Sequence, residues 1–337
     1  MVLWTDAHAK LHRRLRATAL LPPDSRVLMA VSGGQDSLCL ARLLLDLQPK
    51  WGWSLAMVHC DHRWRPDSDA NAQHVAQLAR QWQLPCWLET AAAPPASEAA
   101  ARRWRYQVLA RLAAEHGYTC VVTGHTATDR AETVLYNLLR GSGREGLQAL
   151  RWQRPISPAL PQVLLSRPLL GFSRDATGAV CQALGLPVWE DSTNADLSWR
   201  RNRIRHELMP YLRSHFNPQI EPTLAQTAEI LSAEVDYLEA QTDQLYAALV
   251  TAASDGWQID RAGFQAVPLA LQRRLVRRLL QQAMPVAPRF EHIEKLVNLA
   301  QAPHRSQTDP FPGNLVARVE RSSLWLGSMK AENGREA

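Results

Sequence analysis

Lysine is nearly absent from this chain. Of its 38 basic residues only Lys10, Lys50, Lys295 and Lys330 are lysines, and the other 34 are arginines. No lysine falls between Lys50 and Lys295, which excludes a Walker A phosphate loop, because that loop requires one. Cysteine is sparse too. Cys39, Cys60, Cys86, Cys120 and Cys181 are odd in number, far apart and without a Cys-x-x-Cys pair. Neither a disulfide framework nor a thiolate zinc site is expected, and a reducing cytoplasm is the expected compartment. No apolar run approaches the ~18 residues of a membrane helix. Met1 to Leu21 alternates charge with short apolar stretches and has no export-signal core, so no membrane association is expected.

What remains is ordinary globular composition: 46% hydrophobic and 21% charged over 337 residues, enough for about two domains at roughly 150 residues each. The net charge of +6 attracts polyanions. Arginine's planar fork suits phosphates and base edges, although a GC-rich genome produces the same bias.

The first half alternates strand and helix. Short apolar runs at Arg26 to Val31, Ser54 to His59, Cys86 to Leu88 and Cys120 to Thr123 read as buried strands. Helical patterns lie at Asp36 to Leu47, Ser68 to Trp82, Ser97 to His116 and Asp129 to Arg140. That rhythm predicts an α/β fold, a doubly wound parallel sheet covered on both faces. After about Pro210 the pattern changes. Gln219 to Leu249 reads as one long helix, Leu269 to Met284 and Glu291 to Ala300 as two more, and Leu315 to Val319 with Leu324 to Leu326 as a terminal strand pair. The expected layout is an α/β domain over residues 1–215, a helical linker over 216–250 and a small, mostly helical domain over 251–330.

Three constellations carry chemistry. The first strand runs into Ser32-Gly33-Gly34-Gln35-Asp36-Ser37 and then a helix. Two glycines let the backbone turn sharply, the turn amides and helix N-terminus form an anion site, and Asp36 can hold Mg²⁺ against phosphate oxygens. An ordinary capped corner is the plainer reading; the position at the carboxyl edge of a parallel sheet favours phosphate. The second is Gly124-His125-Thr126-Ala127-Thr128-Asp129-Arg130-Ala131-Glu132, where Asp129 and Glu132 share a helix face and suit a cation or proton transfer, or merely cap the helix. A formal Gly-x-Gly-x-x-Gly at Gly141 to Gly146 follows a helix rather than a strand, which rejects a dinucleotide site. The third is Glu190-Asp191-Ser192-Thr193-Asn194 followed by Trp199 to His206, whose Arg201, Asn202, Arg203 and Arg205 read either as a phosphate-and-base reader or as a solvated face.

The hexapeptide Ser-Gly-Gly-x-Asp-Ser resembles the pyrophosphate loop of the N-type ATP pyrophosphatases. With Val58 to Arg65, Glu98 to Tyr106, the Gly124 to Thr133 stretch, Leu138 to Leu147, Glu190 to Asn194 and the Arg200 to Leu212 run in this order, the series from Arg26 to Leu212 is similar to the tRNA(Ile)-lysidine synthase family. The C-terminal part resembles that family's substrate domain more loosely, so the resemblance implies a catalytic domain over residues 1–215 and a tRNA-binding substrate domain over 251–330.

The resemblance implies an ATP-dependent ligation in which free L-lysine is joined to C2 of the wobble cytidine of the CAU-anticodon isoleucine tRNA. On it, Ser32 to Ser37 hold the ATP phosphates, Asp36 and Asp129 the Mg²⁺, and Asp36, His125, Asp129 and Glu132 carry the chemistry. The same four include the candidate acceptors, in His125, Asp129 and Glu132, of the lysine ammonium proton. Arg201, Asn202, Arg203 and Arg205 contact tRNA or the reacting nucleotide, and Arg102 and Arg105 the phosphates or the lysine carboxylate. A homodimer is an open expectation. A tRNA thiolase of the same superfamily and a non-catalytic tRNA binder remain alternatives. Two departures stand out: Thr128 occupies a position where the family commonly has a second acid, and Arg130 one where an amide is frequent, expected to alter only surface charge. The helix from Leu271 to Leu280, with four arginines on one face, reads as either a solvated face or a contact for tRNA backbone. Most tryptophans, Trp51 and Trp53 among them, are assigned to packing.

Overall fold

The computed structural model describes residues 4–190 and 196–328; Asp191, Ser192, Thr193 and Asn194 lie outside the described residues. The chain divides between Ser232 and Ala233 into two compact units.

The first unit opens with α1 (Asp6–Ala17) and then alternates: β1 (Arg26–Ala30), α2 (Gln35–Trp51), β2 (Ser54–Asp61), α3 (Ser68–Gln81), β3 (Cys86–Thr90), α4 (Glu98–Glu115), β4 (Cys120–Thr123) and α5 (Ala127–Leu139). After the short α6 (Arg144–Leu147) come the hairpin β5 (Gln153–Ser157) and β6 (Leu160–Ser166), then α7 (Arg174–Ala183). A helical run follows, α8 (Arg200–Arg203) continuing through a π turn (Ile204–Leu208) into α9 (Met209–His215). The helix α10 (Ile220–Leu249) begins in the first unit and ends in the second.

The strand order is β3-β2-β1-β4-β6-β5, parallel except for β5, which runs antiparallel along β6. The central strands are apolar on both faces because helices cover both: Val27, Leu28, Met29, Val121 and Val122 are each 1% exposed or less. Each such side chain contributes about 1.5–3 kcal/mol by leaving water. Because β1 has β2 on one side and β4 on the other, the direction of winding reverses between β1 and β4. A crevice opens there at the carboxyl ends, where such sheets bind ligands.

The second unit carries β7 (Val250–Ala253), β8 (Gly256–Asp260), α11 (Arg261–Ala266), α12 (Leu269–Ala283), α13 (Phe290–Leu299), β9 (Leu315–Val319) and β10 (Ser323–Ser328). The sequence reading identified the last two strands. It missed β7 and β8, which complete an antiparallel sheet of order β7-β8-β10-β9; they are short and only Ile259 of β8 is buried, so alternation gave little signal. Leu275, Val276, Leu279 and Leu280 of α12 pack into this unit's core. The arginines of α12 are largely neutralised in place. Arg273 makes two bonds to Glu294 at 2.7 and 2.9 Å, and Arg274 and Arg278 pair with Glu239, Arg278 also with Asp243. That favours the solvated-face reading over tRNA contact. Trp51 and Trp53 stack at 5.2 Å on α1's side of the sheet, as packing residues.

Candidate active site

β1 delivers its chain into the loop at the switch point. Gly33 takes φ +87°, and a Cβ there would lie 2.5 Å from Asn71 Oδ1, so only glycine fits this bend. The loop is held by its own hydroxyls: the Ser32 amide donates to Ser37 Oγ at 3.1 Å, the Gly34 amide to Ser32 Oγ at 3.3 Å, and Asn71 Nδ2 to the Ser32 carbonyl at 3.0 Å. Gly34 is the N-cap of α2 and gives it no side-chain cap, which leaves the helix's first amides for a ligand. On the adjacent strand, Gly124 follows β4 so closely that a Cβ would sit 2.8 Å from the Asp36 carbonyl and 2.9 Å from the Ser37 amide.

Asp36 faces α7, accepting bonds from Thr177 Oγ1 and from Arg174 Nη1 at 3.2 Å. Its carboxyl is nonetheless held above the usual carboxylate range. Burial is the main cause; Thr177 and Arg174 oppose it, and the nearby Asp129 charge adds to it. Gln35 lines the cleft while its amide nitrogen donates to the Arg174 carbonyl and Thr177 Oγ1 on α7.

Across the cleft, Asp129 Oδ2 accepts from the Thr126 amide and hydroxyl at 2.8 and 2.9 Å, as the N3 member of a capping box on α5. Its Oδ1 lies 3.3 Å from both Arg201 and Arg205. Burial pushes the Asp129 carboxyl up, but Arg201, the Thr126 amide and Arg205 outweigh it and hold it below its usual range, ionised. Glu132 is fully buried and ligates the same two arginines: Arg205 at 2.6 and 2.9 Å and Arg201 at 3.2 Å. Two carboxylates and two guanidiniums thus form a closed lattice. Half-buried His125 bonds through Nδ1 to Thr123 Oγ1 at 2.8 Å; burial first, then the Arg167 charge, keep its imidazole neutral at pH 7.

These groups line one cleft of about 410 Å³, together with Arg105, Arg174 and Trp189. Of the residues expected at the site, Ser32, Gly34, Gln35, Asp36, Ser37, Arg105, His125, Asp129 and Arg205 reach it, and Glu132 and Arg201 stand directly behind. Gly33 shapes the loop without lining the cleft. Arg203 does not converge: it is 62% exposed and pairs with Glu207. Asn202 donates to the Asp196 carbonyl at 2.9 Å and stabilises its own turn. Arg102 lies over the Tyr106 ring, beside the cleft. Sequence reading missed Arg174, Thr177 and Asn71, which brace the loop from α7 and α3; their sequences carry no motif, and only tertiary packing brings them in.

A model of the PP-loop domain matches residues 6–212, and a model of the TilS substrate binding domain matches residues 259–325. The chain is 54% identical to a tRNA(Ile)-lysidine synthase of Nostoc sp., with 96% of this chain and 98% of that one covered. It is 52% identical to the enzyme of the same name from Gloeobacter violaceus, with 94% and 95% covered. The chain belongs to the tRNA(Ile)-lysidine synthase family. Among solved structures, a U34-tRNA thiolase from Methanococcus maripaludis superposes with a TM-score of 0.56 at 16% identity, covering 67% of this chain and 78% of that one; that likeness concerns the fold alone.

Both departures from the family pattern are structural. The Thr128 hydroxyl donates to Glu221 at 2.8 Å and accepts from the Arg174 amide at 3.2 Å, tying the start of α10 to the segment that braces Asp36. Arg130 is not a surface residue: it is 2% exposed and pairs with Glu229.

Proposed function

We propose that this cleft ligates free lysine to C2 of the wobble cytidine of the isoleucine tRNA with a CAU anticodon, forming lysidine and releasing AMP and pyrophosphate from ATP. The observation that carries the reading is the meeting, at one switch point, of a phosphate-accepting loop with a carboxylate–arginine lattice, in a chain of the tRNA(Ile)-lysidine synthase family.

The loop amides and the hydroxyls of Ser32 and Ser37 hold the ATP phosphates, with the N-terminus of α2 behind them. Cytidine O2 attacks the α-phosphorus and pyrophosphate leaves; fixed amide dipoles and Arg174 stabilise the charge that develops. The lysine ε-amine then adds to C2 and AMP departs with O2. The amine arrives protonated, so a base must take its proton. Glu132 is ruled out by its geometry, since both its oxygens already ligate guanidiniums; its role is to hold Arg201 and Arg205 in position. His125 is neutral and lines the cleft. With Nδ1–H donated to Thr123, its Nε2 receives the proton.

A magnesium ion fits the donor set. Asp36 and Asp129 are close enough to repel, and Mg²⁺ takes one or two carboxylates plus phosphate oxygens and waters. Asp36 is the better ligand, because all the Asp129 lone pairs face donors. The ion supplies charge neutralisation at the phosphates. Cytoplasmic residence and a homodimer complete the proposal; no helix among the described residues is long and apolar enough to cross a membrane.

Sulfur transfer has less support. Cys60 lines the cleft, but burial pushes its thiol up to about 12, and an activated thiolate needs the opposite shift. The test combines purified protein, ATP, Mg²⁺, labelled lysine and a CAU-anticodon isoleucine transcript. Lysine incorporation that requires the wobble cytidine and is lost in Asp36→Ala is expected. Incorporation that ignores that base, or sulfur incorporation instead, contradicts the reading.

A further inference from the structure

Two arginine sets reach the cleft, one through Arg205 and one through Arg105, and they differ in one respect. Arg201 and Arg205 are neutralised by Asp129 and Glu132. The other set has no carboxylate. Around the ring of Tyr106 on α4, the guanidinium carbons of Arg154, Arg102 and Arg105 lie 5.1, 5.2 and 5.8 Å from the centroid. Arg167, 2% exposed, sits beside its hydroxyl. Among the described residues none of these four arginines makes an ion pair. Arg154 donates only to backbone carbonyls, Arg167 donates to the Arg151 carbonyl and to the Tyr106 hydroxyl, and Arg105 Nε is buried without a partner. The phenol registers the unbalanced field: burial acts to raise its pKa, yet Arg102, Arg167 and Arg105 bring it down to about 8. Packing four guanidiniums around one ring without a counter-charge is unfavourable in the free protein, and an arriving oxyanion relieves it.

Beside this nest is an aromatic surface. The Trp64 and Trp199 rings lie 5.5 Å apart, Trp64 is 5.5 Å from His62, and His62 is 5.0 Å from Trp104. Trp64 is 36% exposed and lines the cleft with His62 and Arg105; Trp104 and Arg105 are neighbours on α4. A positive groove next to a partly exposed aromatic cluster is what an unstacked nucleotide strand requires. Lysine, itself a cation, is repelled by four uncompensated arginines, and the ATP phosphates already have the loop amides.

We propose that the Arg102, Arg105, Arg154 and Arg167 nest receives a backbone phosphate of the anticodon loop, and that Trp64 with Trp199 stacks an unpaired base beside it. This deepens the proposed function and rests on it. Chemistry on the wobble base demands that it leave the anticodon stack, and the nest and platform hold its neighbour in that opened state.

The test is fluorescence anisotropy of a labelled CAU anticodon stem–loop on the full chain at several salt concentrations. Arg102→Gln/Arg154→Gln is expected to weaken binding and to flatten the log–log salt slope by about 0.7 for a lost phosphate contact. Trp64→Leu is expected to weaken binding about fivefold to a hundredfold with the slope unchanged, and Trp64→Phe to restore most of it. KM for ATP and for lysine stay as in the unaltered protein. A raised lysine KM with RNA affinity intact makes the nest a carboxylate site and overturns the proposal; so does a raised ATP KM alone, or no change in any of the three. If the double variant fails to fold, Arg154→Gln on edge strand β5 gives the salt slope by itself. Failure of the unaltered protein to attach lysine to the transcript is the separate result that sinks the underlying ligase reading.

Discussion

Replacing Glu132 by glutamine isolates what the buried lattice does. The substitution keeps volume and shape but removes the charge that faces Arg205 at 2.6 and 2.9 Å and Arg201 at 3.2 Å. One amide oxygen cannot accept all three bonds, and the amide nitrogen is directed at a guanidinium. Removing one partner of a buried ion pair costs about 3–5 kcal/mol. Arg205 and Arg201 are 17% and 26% exposed and keep Asp129, which argues for the lower end, about 3 kcal/mol. For a unit of this size that lowers the melting temperature by roughly 6–12 °C. Thermal unfolding followed by circular dichroism reads the shift in the transition of the catalytic unit. Arg205→Gln is expected to cost a similar amount, and the double variant less than the sum, because each single change strands the other's charge. Lysine transfer should slow while the pH–rate profile keeps its acid limb, since Glu132 positions arginines and takes no proton. A melting temperature within about 1 °C of the unaltered protein, or an acid limb that vanishes, refutes this reasoning.

His125→Gln should leave tRNA-dependent pyrophosphate exchange largely intact and cut lysine incorporation by about a hundredfold or more, the usual worth of a general base; equal loss in both assays would assign His125 to adenylation. Gly124→Ala forces a Cβ against the backbone of Asp36 and Ser37 and is expected to raise the ATP KM at least about tenfold for a misplaced loop, with an unchanged KM showing that the contact yields freely. Tyr106 should be the tyrosine that ionises near pH 8, seen as phenolate absorbance in the unaltered protein but not in Tyr106→Phe. A phenol pKa below its unfolded value contributes stability that is complete above pH ~10 and is lost as pH falls through about 8, so Tyr106→Phe should narrow the stability difference between those pH values.

Much of the fold was legible because the central strands are buried on both faces. Runs such as Val-Leu-Met and Cys-Val-Val-Thr admit no amphipathic alternative, and β4 matches its expected span residue for residue. The hairpin β5–β6 escaped because β5 is an edge strand with Pro155 in it and polar residues alternating irregularly. At the site, the loop and the α5 carboxylates were legible because each lies within a few residues of a strand end. Their relations were not. The arginines of α8 and its π turn read either as a nucleic-acid reader or as a solvated face, both pointing outward, whereas Arg201 and Arg205 turn inward to Glu132 and Asp129. Helical periodicity is altered by the π turn, and no sequence spacing specifies which face meets α5. The arginines that lack counter-charges are instead on α4, β5 and after β6, residues distant in sequence that only the sheet order brings together.

The account's central claim is that the loop after β1 holds ATP so that the tRNA base, not the amino acid, is adenylated. Isotope exchange between pyrophosphate and ATP decides this directly. Exchange is predicted to require the CAU-anticodon transcript, to proceed without lysine, and to disappear when the wobble cytidine is replaced by uridine. Exchange supported by lysine in the absence of tRNA would contradict it.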